Sequence, residues 1–462
     1  MPLLTRATGP GGGGRTSLSE ILADFVARTR FDDLPGAVVH EVRRSFLNWL
    51  GVTLGAAREE AVRIAARVLA QADPAPQATV VGHRRRLDCA AAALVNGLAA
   101  HLYDFDDTHA RSILHPSAPI FPTCLALSEH LDLPGEAFIT AYVVGSEVAD
   151  RIAAAVTPWH NEAGWHVTGT VGTFGAAAAA SKLLGLSTAQ AVHALGLAAT
   201  QAAGLREMFG SMAKPLHPGK AAWNGLLAAS LAREGFTSSL QGLEGRRGFL
   251  AVMTPGSNPD ALTHDLGRDF EMVKNRYKPY ACGVVTHAAI DAAIEARRRG
   301  IEAAQVERVE AFVHPLVQEL TGKAEPQTGL EGKFSVSHCI AVGLIDGRAG
   351  PGAFTDARVR SHDAAELRRK VQLVVDPDMG EEAARLVVRT VDGRQETITV
   401  DLATGSLERP MSDRALEEKF RMLVEASVGR ERTQALIDAV WSLGAGASMR
   451  DLARSIPVVE EP

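Results

Sequence analysis

The chain has 462 residues, of which 46% are hydrophobic and 22% are charged, as in an ordinary globular protein of two or three domains. Its formal net charge of −6 argues against nucleic acid or an anionic membrane as the main partner. No apolar run reaches the roughly 18 residues of a membrane helix, and the N-terminal residues lack the apolar core of a signal peptide. We therefore expect a cytoplasmic protein that binds neither nucleic acid nor membrane.

The first part of the chain is predicted to be helical. Residues 1–15 are rich in glycine, and we expect them to be disordered. The first helix is predicted to begin after Ser17, because Ser17 and Glu20 have the spacing of a capping box. Ser187 and Gln190 have the same spacing and predict the start of another helix. Apolar residues recur at intervals of three and four up to about residue 265, with Gly or Pro between the runs. This pattern predicts an all-helical domain over residues 16–265.

Three glycines recur at every third position in one of these helical segments. Gly169, Gly172 and Gly175 are followed by a run of alanines, and no strand precedes them. A dinucleotide-binding loop needs a different glycine spacing after a strand. The glycines therefore predict close packing between helices.

The periodicity changes after about residue 266. Segments near residues 306–317, 368–377, 384–393 and 394–402 alternate in polarity or are rich in β-branched residues, with helical runs between them. Asp392-Gly393 lies between the last two and predicts a hairpin. We expect a smaller α+β domain over residues 266–405. Helical patterns return in residues 406–462, so we expect both chain ends to form one large helical domain.

Residues 101–119 gather more polar chemistry than any other segment. Twelve positions hold three carboxylates, a hydroxyl and two imidazoles: Asp104, Asp106, Asp107, Thr108, His109 and His115. Acid–base catalysis, a helix-capping turn and a divalent metal site would each use such a cluster. The EF-hand spacing and the HExxH motif are absent, which weakens the metal interpretation.

Basic groups recur downstream beside Gly and Pro. His166 precedes a predicted helix start, where an anion is favoured, although a lone histidine is more often a core residue. Lys214 is followed by His217, and Lys278 lies near Tyr280, each lysine directly before a proline. These segments fit recognition of a polycarboxylate, although a lysine before a turn is commonly a surface residue.

The order of these motifs resembles the MmgE/PrpD family over about residues 17–455. The shared segments read DFDDTH, HPSAP, GWHVTGTVGTFGAAAAASKLLG, KPLHPGKAA, RYKPYACGVVTHAAIDA and GKFSVSHCIAVGLIDG. The family includes 2-methylcitrate dehydratase, cis-aconitate decarboxylase and iminodisuccinate epimerase. The resemblance implies a mainly α fold with a large helical domain formed by both chain ends, a smaller α+β lid domain, and a homodimer. It also implies chemistry without an organic cofactor or a metal.

The resemblance also implies a pocket between the domains. Its implied catalytic residues are Asp104, Thr108, His115, His166, Lys214 and Lys278. Further implied contacts to a small di- or tricarboxylate come from His109, His217, Tyr280 and His338. Two positions depart from the decarboxylase branch, where Gly283 replaces a histidine and His338 replaces a tyrosine.

We expect the lysines to bind substrate carboxylates, Asp104 and Thr108 to orient substrate or imidazole, and His115 and His166 to transfer protons. Loss of a β-hydroxyl would be dehydration, return of the proton on the other face would be epimerisation, and loss of carbon dioxide would be decarboxylation. We expect a 2-methylcitrate dehydratase-like lyase first, then an epimerase, then a decarboxylase. A catalytically silent dimeric binding protein stays open as an alternative.

Overall fold

The computed structural model describes residues 16–72, 75–444 and 446–459. The disorder expected for residues 1–15 therefore concerns residues outside the described part. Helices dominate the described residues, and the largest sheet has four strands. The chain is thus mainly α with an α+β part, as the sequence predicts.

The region before residue 278 is mainly helical. Its Ser17 and Ser187 capping boxes both form as predicted. Its helices are α1 (Leu18–Arg28), α2 (Gly36–Ala56), α3 (Glu60–Ala70), α4 (Cys89–Leu102), α5 (Ser117–Leu131), α6 (Gly135–Val156), α7 (Trp159–Glu162), α8 (Val167–Thr170), α9 (Gly172–Leu183), α10 (Thr188–Ala199), α11 (Ala213–Arg233) and α12 (Phe249–Val252). Two short antiparallel pairs join β1 (Ala78–Thr79) to β2 (Arg86–Leu87), and β3 (Thr108–His109) to β4 (Asn275–Arg276).

The central helices approach one another through glycines. A Cβ atom added to Gly97 of α4 would lie 2.8 Å from the Cα atom of Gly219 in α11. A Cβ atom added to Gly145 of α6 would lie 2.8 Å from the carbonyl oxygen of Gly175 in α9. Larger residues would force these helices apart, because protein interiors are close-packed. The glycines therefore fix α11 relative to α4 and so position the loops at their ends.

The following region contains a mixed sheet covered by helices. The sheet order is β6 (Val371–Val375), β5 (Val306–Val313), β7 (Ala384–Thr390), β8 (Gln395–Val400), with β5 and β6 parallel and the other pairs antiparallel. The hairpin between β7 and β8 turns at Gly393, which has a φ of 86°. The helices are α13 (His287–Arg298), α14 (Pro315–Thr321), α15 (Gly329–Gly332), α16 (Val336–Asp346), α17 (Asp356–Val359) and α18 (His362–Arg369).

The C-terminal helices return to the first region. They are α19 (Asp413–Val428), α20 (Arg430–Trp441) and α21 (Met449–Ser455). The large apolar core takes side chains from residues 22–277 and again from 411–459, whereas a second core takes them from residues 288–403. Within the described ranges, no helix combines the length and apolarity needed to cross a bilayer.

Candidate active site

The acidic segment follows α4 and is tied to a distant part of the chain. Asp104 adopts a left-handed backbone conformation with a φ of 51°. Thr108 and His109 then form β3, which pairs with β4. Because Lys278 comes two residues after β4, this pairing brings the lysine to the acidic segment.

Asp104 accepts hydrogen bonds from two buried lysines. The Nζ atoms of Lys214 and Lys278 each lie 2.9 Å from the same oxygen, Oδ1. Burial alone would raise the pKa of Asp104, but the two ammonium groups hold it well below its ordinary value. The carboxylate is therefore ionised, and two cations face one anion at this point.

Three imidazole rings lie together beside these ions. The ring of His101 lies 4.7 Å from that of His115 and 5.4 Å from that of His166, centroid to centroid. His166 in turn has its Nδ1 atom 2.9 Å from Nδ1 of His217. Burial is the main cause that lowers the pKa of His101 to about 3, and it holds the pKa of His166 well below 6.5. These two imidazoles are therefore neutral at physiological pH.

Nδ1 of His115 points toward the acidic segment itself. It donates a hydrogen bond of 2.8 Å to the carbonyl oxygen of Asp107, and the hydroxyl oxygen of Thr108 lies 3.4 Å from it. A carbonyl oxygen can only accept, so Nδ1 of His115 carries a hydrogen. Thr108 and the segment's backbone thereby orient His115.

Asp106 is shared by two of the imidazoles. Its Oδ2 atom lies 2.7 Å from Nδ1 of His101 and 3.4 Å from Nδ1 of His115. Burial would raise the pKa of Asp106, but the neighbouring imidazoles hold it well below its ordinary value. Because an ionised carboxylate only accepts hydrogen bonds, Nδ1 of His101 is the donor. Nε2 of His101 is buried, and no hydrogen-bond partner for it lies among the described residues.

The same cluster could be interpreted as a metal site. Potential ligand atoms of His101, Asp104, Asp106 and His115 lie within 4.8 Å of one another. However, Oδ1 of Asp104 already accepts from two ammonium groups, which would repel a divalent cation. The two ammonium groups beside Asp104 therefore favour an anionic ligand at this point.

An open cleft lies near the buried cluster. Its volume is about 840 Å³, and its walls come from residues near 163–164, 205–210, 318–323 and 331–334. Phe209 and Phe334 line it and stack with centroids 5.8 Å apart. The Nζ atom of Lys214 lies 5.1 and 5.3 Å from the centroids of these two rings. The phenylalanine pair therefore separates the cleft from the ionic cluster.

Three residues expected at substrate are not brought into the cluster. His109 has its Nε2 atom 3.2 Å from a carboxylate oxygen of Glu271. Tyr280 donates its hydroxyl hydrogen to Asp291. His338 donates from Nε2 to a backbone carbonyl at 2.9 Å. Each of these side chains already has a hydrogen-bonding partner elsewhere in the fold.

Two models of known protein families together match nearly the whole chain. The model of the MmgE/PrpD N-terminal domain matches residues 20–262, and the model of the MmgE/PrpD C-terminal domain matches residues 280–443. The chain belongs to the MmgE/PrpD family.

Three proteins similar to this chain are named cis-aconitate decarboxylase or cis-aconitate decarboxylase-like. Cis-aconitate decarboxylase of Homo sapiens is 29% identical over 446 residues, which cover 92% of this chain and 92% of that protein. Cis-aconitate decarboxylase of Aspergillus terreus is 28% identical and covers 93% of this chain and 94% of its own length. The cis-aconitate decarboxylase-like protein oryM of Aspergillus oryzae is 27% identical over 93% of this chain and 95% of its own length.

Three buried residues of this MmgE/PrpD chain join the cluster although the motifs did not single them out. His101 has been described above. Lys333 donates to the carbonyl oxygen of Leu102 at 2.8 Å, and burial lowers its pKa to about 7. Lys419 of α19 donates to the carbonyl oxygens of Phe105 at 2.7 Å and of Lys278 at 2.9 Å.

The sequence could have indicated two of these three residues. His101 lies three residues before Asp104, and Lys333 lies in the segment GKFSVSH that carries part of the family resemblance, so both positions were visible as motif neighbours. Lys419 follows an ordinary amphipathic pattern, and no local signal distinguishes it.

Proposed function

We propose that this protein is a lyase that acts on a small di- or tricarboxylate. It removes a proton from the carbon next to a carboxylate and expels the hydroxyl of the neighbouring carbon, as in dehydration of 2-methylcitrate. The observation that carries the proposal is the convergence of Lys214 and Lys278 on Asp104 beside buried imidazoles.

The two lysines provide what this chemistry needs most. A proton next to a carboxylate is only weakly acidic, because its removal leaves a carbanion whose charge spreads into that carboxylate. Preorganised ammonium groups stabilise this developing charge, most strongly where water is excluded. In the proposal, the ammonium groups of Lys214 and Lys278 take a substrate carboxylate in addition to Asp104. Asp104 then holds both cations in place.

The remaining groups orient and transfer protons. Thr108 lies against His115, and His166 lies against His217, so each imidazole is held by a neighbour. His115 and His166 are candidates for proton transfer to and from the substrate. The rings of Phe209 and Phe334 limit the access of water from the cleft.

Decarboxylation is the second candidate, because the relatives described above are named cis-aconitate decarboxylase or a like protein. Two residues of this chain argue against it. Gly283 offers no side chain where the decarboxylase branch has a histidine, and His338 is hydrogen-bonded to a backbone carbonyl where that branch has a tyrosine. We therefore place dehydration first.

Proton NMR in D2O tests the proposal. The enzyme is incubated separately with 2-methylcitrate, citrate, cis-aconitate, malate and iminodisuccinate. We expect deuterium to enter the carbon next to a carboxylate and a vinylic product to form from a hydroxy acid. Release of carbon dioxide from cis-aconitate would favour decarboxylation instead, and exchange with inversion would favour epimerisation. The absence of exchange with all five acids would overturn the proposal.

A further inference from the structure

His101 has the features of a proton acceptor, although the sequence motifs did not assign it a role. Its side chain is fully buried at the last turn of α4, between His115 and His166. Nδ1 donates to Asp106 at 2.7 Å, which leaves the lone pair of the neutral ring on Nε2. That lone pair has no partner among the described side chains and backbone groups.

An unpaired acceptor in this position calls for an explanation. Leaving a buried acceptor without a donor costs about 1–3 kcal/mol, and native structures retain few such groups. A substrate that reaches Lys214 and Asp104 would come beside this ring, since potential ligand atoms of His101 and Asp104 lie within 4.8 Å of each other and Lys214 donates to Asp104 at 2.9 Å. The carboxylate–imidazole arrangement also matches the pair that fixes the tautomer of a catalytic histidine.

We propose that His101, oriented by Asp106, rather than the candidates His115 and His166, is the general base that removes the proton from the carbon next to the substrate carboxylate. This inference rests on the proposed function. The Nε2 lone pair takes the proton and gives an imidazolium whose Nδ1–H stays on Asp106. The electron pair of the broken C–H bond forms the carbon–carbon double bond as the hydroxyl departs. The imidazolium returns its proton to that hydroxyl, which leaves as water, and His101 is neutral again.

The charges around His101 fit a base that becomes active on binding. Burial and the Lys214 ammonium lower the pKa of His101 to about 3, whereas the Asp106 carboxylate raises it. His115 also lowers it when charged. The carboxylates of a bound substrate add negative charge beside the ring, which raises this pKa toward the range where a base is effective.

The first test separates proton transfer from binding. His101→Gln and Asp106→Asn are each expected to lower kcat by about 100-fold or more, while KM changes little because neither residue is proposed to hold a carboxylate. The amide of the Asp106→Asn variant can donate to Nδ1, which would move the hydrogen of His101 to Nε2 and remove the acceptor. The double variant should therefore be no slower than the slower single variant. His160→Gln is the matched control, since His160 is equally buried but bonds to Thr170 and a backbone carbonyl.

A second measurement reads the tautomer without relying on activity. In enzyme labelled with 15N-histidine, the His101 signals are those that disappear in His101→Gln. We expect Nδ1–H and an unprotonated Nε2 in the wild type, and Nε2–H in Asp106→Asn. A wild-type Nε2–H tautomer would overturn the inference.

The outcomes distinguish this inference from the proposed function. If the wild type exchanges deuterium and His101→Gln exchanges it as fast, His101 is not the base, and the lyase proposal stands. If the wild type exchanges deuterium with none of the five acids, the lyase proposal fails and takes this inference with it.

Discussion

At the scale of single residues, Asp104 is the centre of the site. It holds two ammonium groups on one oxygen, so its charge positions both cations. Asp104→Asn removes the anion but keeps the shape, and Lys214→Ala removes one cation. We expect each variant to lower turnover by at least about 100-fold. Steady-state kinetics on the substrate found by NMR measures this.

Lys220→Ala is the control for these variants. Lys220 lies on the same helix as Lys214, but it is exposed, and its Nζ atom lies 3.5 Å from the carbonyl oxygen of Gln201 rather than near Asp104. It should retain nearly full activity. Near-normal rates for both Asp104→Asn and Lys214→Ala would contradict the site assignment.

The buried amino group of Lys333 should make the free energy of unfolding depend on pH. Burial lowers its pKa from 10.5 to about 7, so between these values the unfolded chain binds a proton that the folded chain does not. Unfolding then takes up a proton, and stability rises with pH across this window. Lys333→Met removes this contribution. Relative to wild type, the variant should be most stabilised at or below about pH 7, and this difference should shrink toward about pH 10.

Urea unfolding of both proteins at about pH 6, 8 and 9.5 measures the difference. Lys323→Met is the control, because the Lys323 side chain is 45% exposed and lies in the same segment of the chain. A difference that grows with pH would contradict the prediction.

His101 shows why residue type alone does not identify every residue of the site. A histidine at the end of an apolar helix is usually a core residue. This one is distinguished by its distance to Asp106 and by an Nε2 atom that has no hydrogen-bond partner in the described part of the chain. The acidic motif and both Lys-Pro segments were visible because each places a charge among small or apolar residues. Lys419 could not be found, since its partners lie more than 100 positions away.

At the scale of elements, local signals predicted most of the secondary structure. Capping boxes and the Asp392-Gly393 hairpin depend on neighbouring residues and therefore form as predicted. The limits of the two domains stay a prediction. Phe270 and Tyr277 pack in the large core although they follow residue 266, because packing partners rather than periodicity decide which core a segment joins.

The glycines of α9 give a prediction for helix packing. A Cβ atom at Gly175 would lie 2.8 Å from a terminal carbon of Ile120 and 2.9 Å from Cβ of Ala149. Gly175→Ala should therefore destabilise the fold by about 1–3 kcal/mol. Gly36→Ala should be neutral or slightly stabilising, because nothing lies within 4 Å of its added Cβ. Urea unfolding compares the two, and equal stability would contradict close packing.

At the scale of the whole molecule, the homodimer implied by the family resemblance stays a prediction. We expect sedimentation velocity to show a species of twice the mass of the chain across the micromolar range. A single species with the mass of one chain at every concentration would contradict it. The same samples should be assayed, so that activity can be related to the oligomer.

Lys419 also has a consequence for protein synthesis. The Nζ atom of Lys419 donates hydrogen bonds to backbone carbonyl oxygens of both the acidic segment and Lys278. Lys419 lies in α19, the first of the three C-terminal helices. A ribosome makes the Asp104 and Lys214 segments long before this residue. A growing chain therefore lacks the hydrogen bonds of Lys419 while the rest of the site is already synthesised. The site can be completed only after α19 has left the exit tunnel.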